Sequence, residues 1–489
     1  HPGAGLRVRR PPQRLRGHPG NMRGKGMETY SLQPFGLEAT SGQEQWVEKE
    51  PFAFRLYSVS PQEVEAVAAR LKAQAAAAQR RPLAQNIEAL HQLGLLWSDP
   101  TYPLRQEAWK VLPSLTHLSP AMVQQEMGEL CRLLRREILW EWVERELGSR
   151  QTMDSWVERD SFLIQRRPRG LIFHNLSGNA FLLPALAILF GLLTKNATLL
   201  KLATAEPYFG VRFAESLREV DPQVSAQVAV LYWSAREEAC YHALFRQGLG
   251  AAVAWGDLRT VRMISHYAGQ YRTRFIDHGA RIGIALIDRI RHQEVAQAAQ
   301  DLAMDIVPWE GYSCISPPFI FVVEGEVGAL EFAEALLSSM DALRVRYERK
   351  MTLSQHSALI ANQEYYFFHL EAEKRGKVLT SQTTGSTVIY SESPPTLKDL
   401  EVCGGGMVMV CRMSRPEEVA SALLHNGLAE YCQALAFHGS AIESIDPLAA
   451  LGISHITRPG RLNAKEIGFS HDGVLNLQEL TRLVTRSRK

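Results

Sequence analysis

Cys314 lies in the run Gly311-Tyr312-Ser313-Cys314-Ile315-Ser316-Pro317, just ahead of an apolar stretch at Phe319–Val323. A thiolate there would suit acyl transfer, because it attacks a thioester and forms another thioester at little energetic cost. The commoner fate of a cysteine is burial as a small apolar side chain, so the residue type alone leaves both readings open. His174-Asn175-Leu176-Ser177-Gly178-Asn179-Ala180 follows a strand-like run and precedes an apolar helix, and Asn179 there could serve as a helix cap. Lys201 closes a third apolar run, Ala197–Lys201, and on its own reads as a solvated strand end.

Other chemistries are excluded by the same inspection. The chain has no GxxxxGK[ST] phosphate loop, no HExxH and no GxSxG. Gly248 and Gly250 form a Gly-x-Gly, but Val253 stands where a third glycine would be and the pair precedes a strand, so the usual dinucleotide fingerprint is absent. The six cysteines (Cys131, Cys240, Cys314, Cys403, Cys411, Cys432) show no CxxC spacing, which argues against a metal site or a disulfide framework. Free thiols in a large chain fit the cytoplasm.

The 489 residues suffice for two or three domains. Hydrophobic residues at 46% and charged residues at 22% are ordinary for a globular protein. Residues 1–26 hold seven Lys/Arg and no acid, which leaves the rest of the chain at a formal −5 against the total of +2. A mildly acidic body argues against a nucleic-acid surface. The basic stretch is expected to be a disordered extension without function, with Met22 or Met27 as the start. No secretory signal is expected, and the longest apolar run, Ala180–Leu193, is too short to span a bilayer.

Residues 53–150 read as helical, with helices at Pro61–Arg80 and Met122–Leu147 and a cap at Ser119-Pro120. From about residue 162 short apolar strands alternate with helices. The strands are Gly170–His174, Ala197–Lys201, Val228–Tyr232 and Ala251–Trp255, with helices at Ala180–Leu193, Pro207–Val220, Ala235–Gly248 and Asp257–Tyr267. A second block has strands at Ile282–Ile287, Phe319–Val323, Thr387–Tyr390 and Met407–Cys411, and helices at Gln293–Ala303, Glu326–Lys350 and Pro416–His425. Arg375–Gly385 reads as loop. Such alternation predicts parallel sheets covered by helices on both faces.

Taken together, four segments resemble the aldehyde dehydrogenase superfamily and, within it, the LuxC-type acyl reductases, from about residue 50 to the C-terminus. Gly178-Asn179 matches a Gly-Asn dipeptide of that branch, and the resemblance gives Asn179 a place in the oxyanion hole. Lys195–Pro207 resembles the "GNTVVVKPSEQTP" stretch, which puts Lys201 on the adenosine ribose or its phosphate. Thr204 stands where NAD-preferring members carry Glu. A Thr beside a Lys tolerates a 2′-phosphate, which favours NADPH. Val253–Asp257 resembles the turn facing the pyrophosphate, carrying over only Gly256. Cys314-Ile315-Ser316-Pro317 is similar to the branch's nucleophile segment. Glu401-Val402-Cys403-Gly404-Gly405-Gly406 resembles "EIFGPV", which assigns Glu401 to the nicotinamide ribose. Ser470-His471-Asp472-Gly473 resembles a C-terminal His-Asp-Gly and is read as a structural turn.

One departure bears on the reaction. Hydrolytic members carry Glu-Leu-Gly-Gly, whose Glu activates the deacylating water; here the segment is Asp277-His278-Gly279-Ala280. His278 either deprotonates Cys314 or fills a turn. The resemblance therefore implies reduction of an acyl thioester (fatty acyl-CoA or acyl-protein) to an aldehyde through a Cys314 acyl-enzyme, with Cys314, Asn179 and His278 catalytic, no metal, and Lys201, Thr204, Gly256 and Glu401 binding NADPH. The alternatives are oxidation or CoA-acylation of an aldehyde, a non-catalytic assembly subunit, or nucleic-acid binding through the basic arm. The implied α/β fold has a disordered extension (1–44), a helical region (45–150), a dinucleotide-binding domain (151–278), a thioester domain (279–455) and a C-terminal segment (456–489) that returns to the cofactor domain or an oligomer interface. A homo-oligomer, possible need of an acyl-activating partner protein, and no membrane span complete the expectation.

Overall fold

The computed structural model of the protein describes residues 26–488, apart from 39, 349 and 441. Residues 1–25, most of the basic stretch, therefore lie outside the described residues.

Two parallel sheets carry the fold. The first runs in the order Arg274–His278, Ala251–Trp255, Leu171–Asn175, Ala197–Lys201, Val228–Leu231, with every pair parallel. The chain enters at the central strand, builds outward on one side and then switches to the other. The switch point lies between Leu171–Asn175 and Ala251–Trp255. In open α/β sheets the crevice beyond the strand carboxyl ends at such a point is the default ligand site.

The second sheet has the order Gly376–Thr380, Thr387–Ser391, Met407–Met413, Phe319–Val323, Ile282–Asp288, Cys432–His438, His455–Thr457, and only the first of these is antiparallel. Gly279, Ala280 and Arg281 alone separate the last strand of the first sheet from Ile282–Asp288. This short link sets the carboxyl edge of one sheet close to the amino edge of the other.

Strands such as Leu171–Asn175 and Phe319–Val323 are buried at every position because helices cover both faces. Alternate residues serve opposite faces. Phe173, Leu199 and Ala254 pack with the Pro61–Arg80, Glu238–Phe245 and Leu258–Gln270 helices, while Ile172, Leu200 and Val253 face a larger core shared with the second sheet. The apolar Leu183–Leu193 helix is part of that larger core. Phe190 meets Trp142 edge-on at 5.5 Å, and Asn86 Nδ2 donates to the Leu192 carbonyl at 2.9 Å. Each fully buried Leu, Ile or Phe of this kind contributes about 1.5–3 kcal/mol.

Several elements differ from the sequence reading. The expected 1–44 extension is structured from Glu28 onward: Glu28–Leu32, Phe52–Ser58 and Gln43–Lys49 form a three-stranded sheet. Leu32, Phe52, Phe54 and Leu56 enter the core, while the polar Gln43–Lys49 strand lies at the sheet edge. The helical region thus begins at Pro61, where Ser60 and Glu63 form a capping box. Met122–Leu147 is two helices, Pro120–Leu133 and Arg136–Leu147. The helix expected over Glu326–Lys350 covers Ala329–Arg344, and Arg344 forms a buried ion pair with Glu310. Arg375–Gly385 contains the edge strand Gly376–Thr380. The C-terminal segment returns to the first half: Thr481–Ser487 pairs antiparallel with Phe162–Pro168, which also pairs with Val157–Arg159.

Candidate active site

Cys314 is half-buried at the amino end of the Phe319–Val323 strand. Its loop is held from three sides. Gly283 donates its N–H to the Ser316 carbonyl at 3.2 Å, and a side chain at 283 would sit 2.0 Å from the Ile315 oxygen, so only glycine admits the loop there. Ser316 Oγ donates to the Asp305 carbonyl at 2.9 Å. Gln433 Nε2 donates to the Cys314 carbonyl at 3.0 Å.

Asn179 reaches this loop from the other sheet. Its Nδ2 lies 3.4 Å from the Tyr312 carbonyl, and its Oδ1 accepts from Ser177 Oγ at 2.6 Å. The amide is exposed and stands in a turn, outside any helix, since the helix starts only at Leu183. Gly178 permits the approach: a Cβ there would meet Ala205 Cβ at 2.5 Å.

Beside the thiol is a cluster of rings. His471 Nε2 lies 3.7 Å from Cys314 Sγ. His471 stacks on His278 at 4.6 Å, and His278 stacks on Trp255 at 4.0 Å. Trp255 Nε1 faces His174 Nδ1 at 3.4 Å. The expected contact of His278 with Cys314 is not made. His278 Nδ1 is 2.7 Å from Asp472 Oδ2 and Nε2 is 2.9 Å from Asn476 Oδ1, so both ring nitrogens are engaged elsewhere and the thiol faces His471 instead. Ser470–Gly473 is indeed a turn, closed by mutual backbone bonds between His471 and Val474, with Asp472 and Gly473 at positive φ. That turn delivers His471 to the thiol.

The electrostatics follow from burial. It pushes the Cys314 thiol up to about 12, with Asp472 adding to the rise. It pulls His471 down to about 4, aided by the positive charge that His278 can carry. Asp472 is held below the usual carboxylate range by the hydrogen bond to His278, against its own burial. His278, His471 and Asp472 place donor atoms within 4.8 Å of one another, the one such group found among the described residues. Within the group, His278 and Asp472 are hydrogen-bonded, while His471 stacks on His278 with its Nδ1 3.7 Å from Asp472 Oδ2.

The remaining expected residues stand along the first sheet's carboxyl edge, with one exception. Lys201 is buried. Its Nζ lies 3.4 Å from the Leu202 carbonyl and 5.9 Å from the Trp233 ring centre, with no ion pair among the described residues, and burial lowers it to about 8. Thr204 Oγ1 and Tyr232 OH are 3.0 Å apart. Glu206, the nearest acid in sequence, is turned into the next helix, where it accepts the N–H groups of Tyr208 and Phe209. Gly256 has φ +146 in the turn after Trp255, and Asp257 caps the following helix through the Thr260 N–H at 2.9 Å. Glu401 is exposed on the short Leu397–Val402 helix of the second half, with no hydrogen bond tying it to Cys314. The glycines after it do approach: a Cβ at Gly311 would lie 3.5 Å from Gly404 Cα.

Sequence reasoning missed Gln433 and Asn476. A signal existed for the first, a glutamine in the apolar run Cys432–Phe437, but that strand was itself unread.

Comparisons with known proteins bear on this site. A family model described as acyl-CoA reductase (LuxC) matches residues 78–483. The long-chain acyl-protein thioester reductase of Photobacterium phosphoreum is 23% identical over 415 residues, 83% of this chain and 80% of that one. That of Photorhabdus laumondii is 25% identical over 413 residues, 82% of each. Among solved structures, a salicylaldehyde dehydrogenase from Pseudomonas putida superposes with a TM-score of 0.72 at 14% identity, covering 94% of this chain and 98% of its own. A putative methylmalonate-semialdehyde dehydrogenase from Sinorhizobium meliloti, complexed with NAD, gives 0.71 at 16%, covering 94% and 97%. The fold is that of the aldehyde dehydrogenases.

Proposed function

This chain belongs to the acyl-CoA reductase (LuxC) family and is an oxidoreductase of the aldehyde dehydrogenase superfamily; on that premise we propose that it reduces an acyl thioester to the aldehyde through an acyl-enzyme on Cys314, with NADPH as reductant. The observation that carries the reading is that the Asn179 amide, from the carboxyl edge of one sheet, reaches the loop that holds Cys314 at the amino edge of the other, 3.4 Å from the Tyr312 carbonyl. The names of the relatives favour an acyl group carried on a protein; a fatty acyl-CoA has the same reacting bond.

Cys314 Sγ attacks the thioester carbonyl, and the bond from that carbon to the donor's sulfur breaks, so the donor leaves as its thiol. Asn179 Nδ2 and the Cys314 N–H hold the oxygen as it gains charge, each such donor being worth about 2.7–4 kcal/mol. A bound nicotinamide dinucleotide supplies a hydride. The thiohemiacetal on Sγ then collapses, releasing aldehyde and the thiolate. The switch point of the first sheet fits the cofactor: the buried ammonium of Lys201 lacks a counter-charge among the described residues, and the Thr204–Tyr232 hydroxyls lie at the same edge. Glu206, the nearest acid in sequence, is committed to a helix end, where it accepts the N–H groups of Tyr208 and Phe209. This arrangement supports NADPH over NADH. Gly256 and Glu401 are assigned to the pyrophosphate turn and the nicotinamide ribose.

Release as free acid is disfavoured. Asp277 stands on the strand face of Phe275, beside Val261 of the Leu258–Gln270 helix and opposite to His278, and its Oδ2 lies 3.8 Å from Arg281. The domains at 151–278 and 279–455 are assigned to cofactor and thioester respectively. Exposed Phe162, Leu483 and Val484 on the small antiparallel sheet support a homo-oligomer. No helix among the described residues is long and apolar enough to cross a membrane.

The test is intact-protein mass spectrometry on wild type and Cys314→Ser with acyl-CoAs of graded length. An acyl adduct on wild type alone, discharged by NADPH with release of aldehyde, is the expected result. An adduct on both proteins, or one that NADPH does not discharge, overturns the reading.

A further inference from the structure

The geometry points to His471 as the general base for the Cys314 thiol, with Asp472 and His278 as positioning residues that hold its ring. The inference rests on the reading of Cys314 as nucleophile and adds the group that activates it.

Three observations carry it. First, His471 Nε2 is the hydrogen-bonding partner of Cys314 Sγ, at 3.7 Å. His278 lies one ring further away with both nitrogens engaged. Distances of this kind often tighten when substrate binds. Second, the imidazole is clamped. Stacking on His278 at 4.6 Å, with Trp255 beyond at 5.4 Å, fixes the ring plane. The turn bonds between His471 and Val474 fix its backbone. Third, Asp472 can accept a developing imidazolium. Its Oδ2 lies 3.7 Å from His471 Nδ1 while bonding to His278. Its Oδ1 is buried without a hydrogen-bond partner, and the nearest cation, Arg281 Nε, is 3.9 Å away.

The steps balance. The Cys314 S–H proton passes to His471 Nε2 as the sulfur bonds to the acyl carbon. The carbon–sulfur bond to the donor breaks, and the departing thiolate takes the proton from His471. Hydride addition gives a thiohemiacetal oxyanion. Its collapse forms the C=O bond of the aldehyde and returns the Cys314 thiolate, which recovers a proton through His471 from water. Overall one thioester, one hydride and one proton give an aldehyde and a thiol. In the free protein the half-buried thiol stays protonated and the half-buried imidazole neutral. The pair therefore rests as S–H facing N, and the proton moves only during attack.

The test uses the full chain and single-turnover kinetics with an acyl-CoA. In His471→Gln, acylation of Cys314 is expected to fall by about 100-fold or more. Hydride transfer to the acyl-enzyme, once formed and followed as loss of NADPH absorbance, keeps the wild-type rate, because hydride addition to the thioester carbon moves no proton to or from His471. Free imidazole should restore part of the acylation in His471→Ala. Equal acylation in wild type and His471→Gln overturns the proposal, as does an equal loss in acylation and reduction. If wild type itself forms no adduct with either an acyl-CoA or an acylated carrier protein, it is the Cys314 reading that fails. Wild type also gives a check that needs no variant. Iodoacetamide alkylation of Cys314 should keep a pH-independent floor between about pH 6 and 8, where an unassisted thiol loses about tenfold per pH unit. The groups that face His471 across that range are His278, Asp472 and His455, with Arg281 behind Asp472. A strict tenfold loss per unit overturns the proposal.

Discussion

Gln433 Nε2 donates a 3.0 Å hydrogen bond to the Cys314 carbonyl, although the two residues are 119 apart in the chain. The other end of the same amide, Oε1, accepts the Asp472 N–H at 3.2 Å. One side chain, 3% exposed, thus sets the spacing between the Cys314 loop and the His471–Asp472 turn. Gln433→Leu should leave a buried carbonyl and a buried N–H unpaired, each costing about 1–3 kcal/mol. We expect a lower urea midpoint and a slower acylation of Cys314 in protein that is still folded. Unchanged acylation would mean that the spacing does not depend on this amide.

Asn179→Ala separates the oxyanion role from a structural one. The side chain is exposed, and its loss should change stability by no more than about 0.5 kcal/mol. The acylation rate should fall by about 100-fold to 1,000-fold. Thermal melting and adduct formation, measured on the same preparation, check both halves. A fall in melting temperature that accounts for the lost rate would return Asn179 to a structural part.

How much of this was legible in the sequence depends on the kind of contact. The strands of the first sheet from Leu171 to Trp255 could be read because full burial leaves short, near-continuous apolar runs. Gly376–Thr380 could not, because an edge strand carrying Lys377 has no such run. Gln43–Lys49 was hidden for a similar reason: its partner Phe52–Ser58 supplies the apolar side of the pair. At the site, the segments carrying Cys314, Asn179 and His471 were all visible as motifs. What was not visible was that 157 residues of chain close into a 3.7 Å contact between Cys314 and His471. Spacing along a chain carries no record of such a neighbour. His278, closer in sequence to the nucleophile, was therefore the natural expectation.

Asp277→Glu tests whether the acid's place on its strand keeps it from the thiol. Lengthening the acid does not move it to the face of His278, since neighbouring strand positions point to opposite sides. We expect no free acid from aldehyde and NADP in this variant, measured by chromatography, and no change in thioester reduction beyond about twofold. Acid production would show that the carboxylate can swing round to the thiol.

We expect Lys201 to make NADPH binding weaken as pH rises. Burial lowers its ammonium to about 8, because the charged form loses hydration and gains no acidic partner among the described residues. The charged form is the one that attracts a 2′-phosphate. In the free protein it is intact well below about pH 8 and lost as pH rises through that value. Affinity for NADPH should therefore be flat at neutral pH and weaken by up to about tenfold per unit above about pH 8. NADH, without the phosphate, should lose less. Stability has the opposite slope. Between about 8 and the ordinary lysine value of about 10.4, the unfolded chain holds a proton that the folded chain has shed, so this residue's contribution to stability rises with pH. Lys201→Met should flatten both profiles, and Thr204→Glu should reverse the preference toward NADH by placing a carboxylate where the 2′-phosphate is proposed to sit. Titrating cofactor fluorescence against pH for the three proteins measures this directly. An identical NADPH profile in Lys201→Met would remove Lys201 from the phosphate site and leave its burial as a matter of packing against Trp233.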